Sequence, residues 1–591
     1  MRPHQKPLDA WVRALARTAR IEKDTHRTLP VVIEELARNR GLAPALEAPA
    51  GVLTYAGLAG RTRQYSRWAL AQGLVPGDVV GLLMPNRPEY LAIWLGLTRV
   101  GVIVALLNTN LRGEPLHHSV SIVRPKHVIA DASLAGAIDE IHAALPESVR
   151  LWAYDGTPAG FADLAAELAR LSDEPLDERA VPSPSIGDRA LYIYTSGTTG
   201  LPKAANVSHG RVMQWSHWFA GMMDTRPEDR MYDCLPLYHS VGGIIATGAT
   251  LVGGGAVVLR ERFSASDFWR DVVSERCTLF QYIGELCRYL VSAPPHPLEN
   301  KHGLRLCCGN GLRPDVWQPF KDRFNIPHIL EFYAATEGNF SLYNCEEEPG
   351  AIGRIPPFLS HRLPVEIVRF DFDAEVPLRN AAGRCERAGA DEPGEAIGRI
   401  VEGSASGRFE GYADSEASRK KVLRDVFEEG DRWYRTGDLM RRDARGFFHF
   451  VDRAGDTFRW KGENVSSAEV AGALMACPGV RDAVVYGVTV PGVDGRAGMA
   501  AIVVDERFDL GPLRERLVAS LPDYARPLFL RILPGIEVTA TFKPRKQDLV
   551  REGFDPARTG DPIFFDDRKR AAYTPVDSNL YAQLTAGALR L

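Results

Sequence analysis

The 591-residue chain has few cysteines, and none is arranged in a pattern that binds metal. Its eight cysteines include no Cys-x-x-Cys pair, and only Cys307 and Cys308 are adjacent. Zinc sites and the disulfide frameworks of secreted domains both need regularly spaced cysteines, so neither is expected here. Scattered thiols are typical of a reducing compartment, and they predict a cytoplasmic protein.

The chain also lacks an excess of charge of either sign. Its 71 lysines and arginines stand against 75 aspartates and glutamates, which gives a net charge of -4. A nucleic-acid partner is therefore not expected. An apolar content of 45% is that of an ordinary globular protein, and the length exceeds what one hydrophobic core supports, so several structural units are predicted.

A signal peptide is not expected either, because the first residues show no basic start followed by an apolar core and a small-residue cleavage site. Residues 241–259 carry no charge over about the length of a membrane span. Six glycines interrupt this stretch, however. We therefore predict a buried helix, a turn and a strand there, in preference to a transmembrane helix.

Near the N-terminus, four apolar residues recur at helical spacing: Leu8, Trp11, Val12 and Leu15. Basic residues lie among and after them: Arg13, Arg17, Arg20 and Lys23. We expect this amphipathic helix to pack against its own protein, and peripheral attachment to the inner face of a membrane is the alternative. The oligomeric state is left open, with a homodimer as one candidate.

The first half of the chain alternates strand and helix patterns. An apolar strand is predicted over 79–84, a helix over 87–97 and a second strand over 102–107. The same alternation recurs around residues 126–130, 256–259 and 279–282. Strand, helix and strand joined by short loops predict an α/β fold, with parallel sheets covered by helices on both faces.

Residues 194–203 read Tyr-Thr-Ser-Gly-Thr-Thr-Gly-Leu-Pro-Lys and follow a strand-like run. Hydroxyl side chains, two glycines and a lysine are typical of a phosphate-binding loop, because glycine lets backbone N–H groups approach and Lys203 offsets negative charge. A Walker A loop is excluded, since no Gly-Lys-Ser/Thr occurs and Pro202 separates the last glycine from the lysine.

Residues 331–338 read Glu-Phe-Tyr-Ala-Ala-Thr-Glu-Gly and follow the apolar pair Ile329-Leu330. We expect their polar side chains at the carboxyl end of a strand, where α/β sheets bind ligands.

These two stretches resemble motifs of the adenylate-forming superfamily, which includes acyl-CoA synthetases, luciferases and peptide-synthetase adenylation domains. Three further motifs follow in the family's order: Tyr434-Arg435-Thr436-Gly437-Asp438, Lys461-Gly462-Glu463-Asn464 and Thr539-Ala540-Thr541-Phe542-Lys543. The resemblance extends from about residue 53 to the C-terminus. Residues 108–112, 331–339, 458–464 and 561–565 look closest to the fatty acid transport protein and very-long-chain acyl-CoA synthetase branch.

The resemblance implies two domains. A large N-terminal domain over 1–453 would contain parallel-rich β-sheets covered by helices. A smaller, mobile α+β domain over 454–591 would rotate on a hinge near Gly455, where many relatives carry aspartate or lysine instead. Within this small domain, the sequence predicts a helix over 465–475 and strands over 483–488 and 499–504.

The resemblance also implies the residues that bind ATP. The phosphates would be held by the loop residues Thr195, Ser196, Gly197, Thr198, Thr199 and Gly200. The nucleotide base would lie against Gly309, Asn310, Gly311, Tyr333 and Ala335. The ribose would be bound by Asp438 and Arg453, and Mg²⁺ by Thr198 and Glu337.

The implied catalytic residues are Lys543, Thr336, Glu337 and Lys203. Lys543 would stabilise the charge that develops at the α-phosphate, with Lys546 as the rival lysine. Coenzyme A would bind at the loop that contains Lys461, Gly462 and Glu463. The acyl substrate would meet His239, Trp215, Tyr282 and Gly284.

The implied function is an ATP-dependent ligase that joins a long- or very-long-chain fatty acid to CoA through an acyl-adenylate. One alternative is a CoA ligase for a bile acid or an aromatic acid, and another is a lipid-uptake protein that acts mainly by membrane association. An amino-acid-activating domain is disfavoured, because no carboxylate follows Pro236 to receive a substrate ammonium.

Overall fold

The computed structural model describes residues 6–181, 183–195, 201–372, 374–401, 407–461, 463–493, 495–538 and 545–589. The chain divides into two compact units. Unit 1 comprises Met1–Pro364, Gly398–Leu423 and Arg432–Tyr434, and unit 2 comprises Val365–Ile397, Arg424–Asp431 and Arg435–Leu591. The domain boundary expected between residues 453 and 454 lies inside unit 2 and stays a prediction.

Helices occur along the whole chain. They are α1 (Pro7–Thr18), α2 (Leu29–Arg40), α3 (Tyr55–Ala71), α4 (Pro88–Arg99), α5 (Gly113–Val123), α6 (Ala135–His142), α7 (Leu164–Leu168), α8 (His209–Met222), α9 (Thr247–Val252), α10 (Phe268–Ser274), α11 (Gly284–Ser292), α12 (Pro314–Arg323), α13 (Ser415–Lys420), α14 (Ser467–Met475), α15 (Leu510–Ser520), α16 (Lys546–Glu552), α17 (Pro556–Thr559) and α18 (Ser578–Thr585). Short 3₁₀ turns cover Ala132–Leu134 and Pro357–Leu359, and a π-helix covers Val241–Ala246.

The strands are β1 (Pro44–Ala48), β2 (Gly51–Thr54), β3 (Val79–Leu83), β4 (Ile103–Leu106), β5 (His127–Asp131), β6 (Arg150–Tyr154), β7 (Ala162–Asp163), β8 (Arg189–Thr195), β9 (Lys203–Ser208), β10 (Arg230–Asp233), β11 (Ala256–Leu259), β12 (Leu279–Ile283), β13 (Leu306–Asn310), β14 (Ile329–Ala334), β15 (Ser341–Asn344), β16 (Val365–Asp371), β17 (Val376–Pro377), β18 (Gly394–Arg399), β19 (Val422–Arg424), β20 (Arg432–Arg442), β21 (Phe448–Arg453), β22 (Phe458–Trp460), β23 (Glu463–Val465), β24 (Val480–Val488), β25 (Ala497–Val504), β26 (Phe529–Ile532), β27 (Ile563–Asp567) and β28 (Ala572–Pro575).

Two sheets form the framework of unit 1. One has the strand order β7-β6-β5-β3-β4-β8-β9, and the other has the order β15-β14-β13-β12-β10-β11-β1-β2. Their inner pairs are parallel, whereas β8–β9, β14–β15 and β1–β2 are antiparallel. The predicted α/β class with parallel-rich sheets is therefore confirmed.

The β3–α4–β4 segment shows why the sequence pattern produces this architecture. Every residue of β3 and of α4 is buried, because the strand lies inside a sheet and the helix is covered in turn by other elements. The predicted helix over 87–97 extends to Arg99, and the predicted strand over 102–107 is shortened to Ile103–Leu106. Such differences of one or two residues are usual at element ends.

The charge-free stretch 241–259 forms the π-helix, α9 and β11, as predicted. Its glycines permit close packing: a Cβ at Gly242 would lie 2.8 Å from the carbonyl oxygen of Leu235, and a Cβ at Gly248 would collide with Ser216. In the described part of the chain, no helix has both the length and the apolar character needed to cross a membrane.

Helix α1 packs on α8, which confirms the first interpretation of the N-terminal pattern. Trp11 makes edge contacts with Trp218 and Tyr343, at ring-centroid distances of 5.9 and 5.6 Å. Gly221 faces the backbone of Ala14 and leaves no space for a side chain. The two helices therefore approach each other closely along the seam that contains these residues.

Unit 2 contains the sheet β24-β25-β26-β27-β28, in which only β25–β26 is parallel. The helix and two strands predicted for this region correspond to α14, β24 and β25. Val470 and Leu474 of α14 and Leu513 and Leu517 of α15 belong to the same apolar core as the strands. Most residues of a further sheet, with the order β17-β16-β18-β20-β19 and β21 paired to β20, also lie in unit 2.

Candidate active site

The predicted phosphate loop connects two antiparallel strands of unit 1. Thr195 ends β8 and Lys203 begins β9, and the two residues are directly paired across the ladder. The hairpin therefore brings the first hydroxyl and the lysine of the motif side by side. Ser196, Gly197, Thr198, Thr199 and Gly200 lie outside the described residues, and their roles stay predictions.

Helix α5 supports both ends of this loop. The hydroxyl of Tyr194 donates a hydrogen bond of 2.6 Å to the carbonyl oxygen of Ser119. Nε2 of His118 lies 3.1 Å from the carbonyl oxygen of Pro202, so it donates there. Burial raises the pKa of Tyr194, which keeps its hydroxyl protonated and able to donate.

The carboxylate of Glu337 is fixed by two phenol groups. Tyr412 Oη donates to Oε1 at 2.6 Å, and Tyr434 Oη donates to the same oxygen at 3.0 Å. Within the residues that the structure describes, Oε2 has no hydrogen-bond partner. Mg²⁺ is usually held by one or two carboxylates together with substrate phosphates. Glu337 therefore fits the predicted role as a magnesium ligand.

Tyr412 also reaches the phosphate loop. Nζ of Lys203 lies 5.8 Å from the centre of its ring, within the range of a cation–π contact. Its hydroxyl interacts with the side chain of Thr195 as well, and burial raises its pKa. The backbone holds Tyr412 there, because Ala413 N donates to the carbonyl oxygen of Ala204 on β9. Tyr412 thus joins two motifs that are far apart in the sequence.

Arg211 fixes the backbone on the other side of Glu337. Its guanidinium donates to the carbonyl oxygens of Gly338 and, at 2.7 Å, of Arg408. The carboxylate of Glu410 lies 3.5 Å from its Nε. Trp215, predicted to meet the acyl substrate, packs its ring 5.6 Å from Arg211 Cζ. In the structure, Trp215 packs on Arg211 one helical turn earlier on α8, and its contact with substrate stays a prediction.

Thr336 is next to the predicted acyl pocket. Its Oγ1 lies 3.2 Å from Oγ of Ser240, and both side chains are buried. His239, one residue earlier, accepts a 3.4 Å hydrogen bond at Nδ1 from Val241 N, where the π-helix begins. Isolated π-helical turns occur frequently at functional sites. The structure therefore brings His239 close to Thr336 in unit 1.

Strand β14 ends at Ala334, two residues before Thr336 and three before Glu337. The sequence predicts a strand that ends before the motif, whereas β14 continues through Tyr333 to Ala334. The ring of Tyr333 packs edge-on against Phe340, at 5.5 Å between centroids. Ala335, Thr336 and Glu337 follow at the carboxyl end of the strand, as the fold class leads one to expect.

The Gly309-Asn310-Gly311 segment lies against two residues predicted for the acyl site. A side chain at Gly309 would collide with Tyr282, and one at Gly284 would collide with the carbonyl of Gly311. Oδ1 of Asn310 is buried and has no partner among the described residues. An unpaired acceptor here fits the amino group of the predicted adenine.

Glu331 holds this segment in place. Tyr282 Oη donates to its Oε2 at 2.5 Å, and Leu312 N donates to its Oε1 at 2.9 Å. Tyr282 is fully buried and its hydroxyl is hydrogen-bonded to Glu331, and its predicted contact with the acyl substrate stays a prediction. Burial raises the pKa of Glu331 to about 8, although these hydrogen bonds oppose the shift.

In unit 2, the two predicted ribose ligands are directly opposite each other. Asp438 on β20 pairs with Arg453 on β21, and Oδ1 lies 3.7 Å from Nε. The turn before Asp438 is anchored by the buried carboxylate of Glu395, which accepts from Arg435 Nη2 at 2.7 Å and from Gly437 N at 3.2 Å. The predicted pair therefore has a fixed geometry within unit 2.

The predicted CoA loop is the turn of the β22–β23 hairpin. Trp460 pairs with Glu463 across the hairpin, and Lys461 lies in the connection between them. Lys461 has a φ of 55°, the left-handed conformation that such a tight turn requires. Burial lowers the pKa of its ammonium. Gly462 is outside the described residues, and the CoA contacts of this loop stay predictions.

Lys546 is engaged elsewhere in unit 2. Its ammonium donates to Asp456 Oδ2 at 2.9 Å and to Ser467 Oγ at 3.1 Å. Asp456 directly follows the predicted hinge residue Gly455. Lys546 therefore has a structural partner, which favours Lys543 as the catalytic lysine. Lys543 itself lies outside the described residues, as do the other members of 539–544.

Comparison with known families identifies the chain. The family described as "AMP-binding enzyme" matches residues 33–379, and "AMP-binding enzyme C-terminal domain" matches residues 469–543. The chain belongs to the AMP-binding enzymes. "Long-chain fatty acid transport protein 1" of Mus musculus is 42% identical over 585 residues, which cover 97% of this chain and 90% of the relative. The predicted membership of the adenylate-forming superfamily is confirmed.

Solved structures show that this AMP-binding enzyme has the superfamily's fold. An anthranilate CoA ligase, AuaEII, solved with anthranoyl-AMP, matches with a TM-score of 0.76 at 20% identity, covering 89% of this chain and 97% of that one. A Mycobacterium tuberculosis fatty acyl CoA synthetase matches with a TM-score of 0.63 at 23% identity, covering 89% and 98%. The prediction of an ATP-using CoA ligase is confirmed at the level of the family.

Several supporting residues of this AMP-binding enzyme were not predicted. They are Tyr412, Tyr434, Arg211, Glu331 and Glu395. Tyr412 and Glu395 stand in stretches without a distinctive pattern, so no local signal reveals them. Arg211 offers a weak signal, because α8 contains no other arginine and no lysine, aspartate or glutamate. Glu331 was part of a predicted motif, but its burial depends on the neighbouring strands.

Replacing Tyr412 tests the link between Glu337 and the phosphate loop. Tyr412→Phe removes a hydrogen bond to a carboxylate, which typically contributes about 1.5–3 kcal/mol. Calorimetric titration with and without Mg²⁺ gives the factor by which Mg²⁺ increases the affinity for ATP. We expect this factor to be at least about ten-fold smaller in Tyr412→Phe than in wild type. Tyr55→Phe is the matched control, because Tyr55 is also buried and donates only to backbone carbonyls. If Mg²⁺ increases ATP affinity in Tyr412→Phe as much as in wild type, Tyr412 does not influence the metal site.

Replacing Glu331 tests its raised pKa. Between pH 4.5, an ordinary glutamate pKa, and about pH 8, folded Glu331 keeps a proton that the unfolded chain has lost. Its contribution to the free energy of unfolding therefore falls as pH rises through this window. Relative to wild type, Glu331→Gln should gain stability with rising pH, by up to about 1.4 kcal/mol per pH unit. Urea unfolding measures this difference, and Glu114→Gln at an exposed site is the control. A difference independent of pH would contradict the assignment.

Proposed function

We propose that this protein is an ATP-dependent ligase that joins long- or very-long-chain fatty acids to CoA through an acyl-adenylate. The observation that carries the proposal is the cluster of Thr195, Lys203 and Glu337 around Tyr412. A phosphate loop, a cation and a carboxylate in one place suit the activation of a carboxylic acid by ATP. The similarity to proteins named long-chain fatty acid transport proteins supports a long-chain fatty acid as the substrate.

In the first half-reaction, an oxygen of the fatty carboxylate attacks the α-phosphorus of ATP. The bond from that phosphorus to the bridging oxygen breaks, and diphosphate leaves with the electron pair. Lys203 and the loop hold the leaving diphosphate, while Thr336 donates a hydrogen bond to the α-phosphate. Lys543 adds a positive charge where negative charge accumulates. Glu337 and Thr198 would hold Mg²⁺, which would supply positive charge to offset that of the phosphates.

In the second half-reaction, the CoA sulfur attacks the acyl carbonyl carbon. The carbon–oxygen bond to AMP breaks, AMP leaves with the electron pair, and the thiol proton passes to solvent. The turn that contains Lys461, Gly462 and Glu463 would bind CoA. We propose that residues 454–591 rotate about Gly455 between the two steps, which withdraws Lys543 and presents this turn.

The acyl chain would lie in an apolar tunnel near His239, Trp215, Tyr282 and Gly284. The buried free cysteines of the described chain support a reducing, cytoplasmic location. An aromatic acid is the second candidate substrate, because an anthranilate and a benzoate CoA ligase are among the solved structures with the same fold. A purely membrane-associated uptake role without chemistry is disfavoured, because Lys543 and Glu337 are both present.

A panel of acids tests the substrate class. Each methylene group that enters an apolar tunnel contributes about 0.8 kcal/mol. We therefore expect kcat/KM, measured by diphosphate release in the presence of CoA, to rise roughly ten-fold per added carbon pair until the tunnel is filled. Benzoate, anthranilate and a bile acid serve as comparisons. A higher kcat/KM for any of these than for long-chain acids would overturn the fatty-acid assignment.

Replacing Lys543 tests the division of labour between the two steps. Lys543→Ala should slow adenylate formation by at least about two orders of magnitude, because a cation at the transition state is lost. The same variant should still convert supplied acyl-AMP and CoA to acyl-CoA. Lys546→Ala is the matched control and should keep adenylate formation, since Lys546 bonds to Asp456 and Ser467. Equal loss of both steps in Lys543→Ala would contradict the proposal.

A further inference from the structure

A cavity of about 770 Å³ lies beside α1 and α8 in unit 1, and the proposed reaction does not use it. Arg17, Arg20, Lys23 and Arg27 line it, together with the α8 residues Met213 and His217. Its only carboxylates are Asp24 and Glu35. The cavity therefore carries more positive than negative groups, although the whole chain has a slight negative charge.

Two of the four cations have protein partners. Arg27 forms a two-pronged pair with Glu35, with Nε–Oε1 at 2.9 Å and Nη2–Oε2 at 2.6 Å. Arg17 Nη2 donates to the carbonyl oxygen of Thr225 at 3.0 Å. Arg20 and Lys23 are exposed, and neither has an ion pair or a side-chain hydrogen bond with any described residue. Their charges are thus available to a ligand.

The backbone that presents these cations is well anchored. Ile21, between Arg20 and Lys23, is only 5% exposed and points into the protein. The turn closes on itself through Lys23 N and Asp24 N, which both donate to the carbonyl oxygen of Arg20. A little further on, Ile186 N donates to the carbonyl oxygen of Thr25 at 2.7 Å. The cations therefore project from a fixed segment.

His217 adds an uncharged polar group to the wall. Its Nε2 is buried and has no hydrogen-bond partner among the described residues. Burial, with the nearby charges of Arg27 and Arg17, lowers the pKa of this imidazole to about 4, so the ring is neutral at physiological pH. A neutral ring can donate or accept one hydrogen bond at this nitrogen.

We propose that this cavity binds a phosphate group, with Arg20 and Lys23 as its principal ligands. Phosphate is recognised by converging arginine and lysine side chains through charge-assisted hydrogen bonds. The group can be the headgroup of a membrane lipid or a free phosphate ester, since both present the same anion. The inference does not depend on the proposed ligase reaction, because none of its residues takes part in that reaction.

The exposed face of α1 favours a lipid as the source. Leu8 and Val12 are 51% and 53% exposed, and Ala16, at the same spacing of four residues, lines the cavity. Trp11 and Ala14, on the other side of α1, are buried against the protein. An apolar stripe that leads to unpaired cations is the arrangement by which helices lie on anionic membranes.

Vesicle sedimentation tests the proposal on the full chain. We expect more binding to phosphatidylcholine vesicles that contain phosphatidate than to phosphatidylcholine alone. The double variant R20A/K23A should lose about ten-fold or more of this preference, because each cation near an anionic surface contributes substantially. The matched control R262A/K301A removes the same charge at exposed sites outside the cavity. Diphosphate release with a soluble short-chain acid verifies that both variants are folded.

A second arm uses glycerol 3-phosphate in calorimetric titration of wild type and R20A/K23A. If wild type binds glycerol 3-phosphate and R20A/K23A does not, the cavity binds a soluble phosphate ester. If wild type does not bind glycerol 3-phosphate and R20A/K23A loses only the binding to phosphatidate vesicles, the ligand is a lipid headgroup. The proposal is overturned if wild type prefers neither anion. It is equally overturned if R20A/K23A keeps the wild-type preference, or if R262A/K301A loses as much.

Discussion

The site in unit 1 depends on one carboxylate whose position is fixed by two phenol hydroxyls. Glu337 offers one oxygen to Tyr412 and Tyr434, and its other oxygen has no hydrogen-bond partner among the residues that the structure describes. A buried carboxylate is stable only when hydrogen bonds replace its lost hydration. The two tyrosines provide this stabilisation and also set the direction of the remaining oxygen, so a ligand finds it already oriented.

The same constraint explains why distant segments meet here. Tyr412 can reach Glu337 because its segment pairs with β9, whose first residue is Lys203. Gly338 has no side chain because the ring of Tyr434 occupies that space. Arg211 closes the arrangement by binding the carbonyl oxygens beside Glu337. A change at Gly338 or Arg211 would therefore alter the carboxylate, although neither side chain position contacts it directly.

Elsewhere the structure uses buried polar groups in a similar way. Glu331 orders the Gly309–Gly311 segment, and Glu395 orders the turn before Asp438. In both places a fully or nearly buried carboxyl group accepts from backbone N–H groups, which is favourable because those donors would otherwise be unpaired. These glutamates support the predicted ligand residues and need not touch a ligand. Sequence motifs reveal the predicted ligand-binding residues more readily than the buried residues that hold them in place.

The sequence by itself determined the α/β class, the order of the motifs and the family, because apolar periodicity and contiguous motifs are local properties of the chain. It also predicted the broken, charge-free stretch 241–259, since its glycines are visible in the sequence. Only the tertiary structure decided that Tyr412 binds Glu337, that Arg211 binds the carbonyl oxygen of Gly338, and that the basic residues after α1 line a cavity. The physical reason is that each of these contacts joins segments whose proximity arises from strand pairing and helix packing.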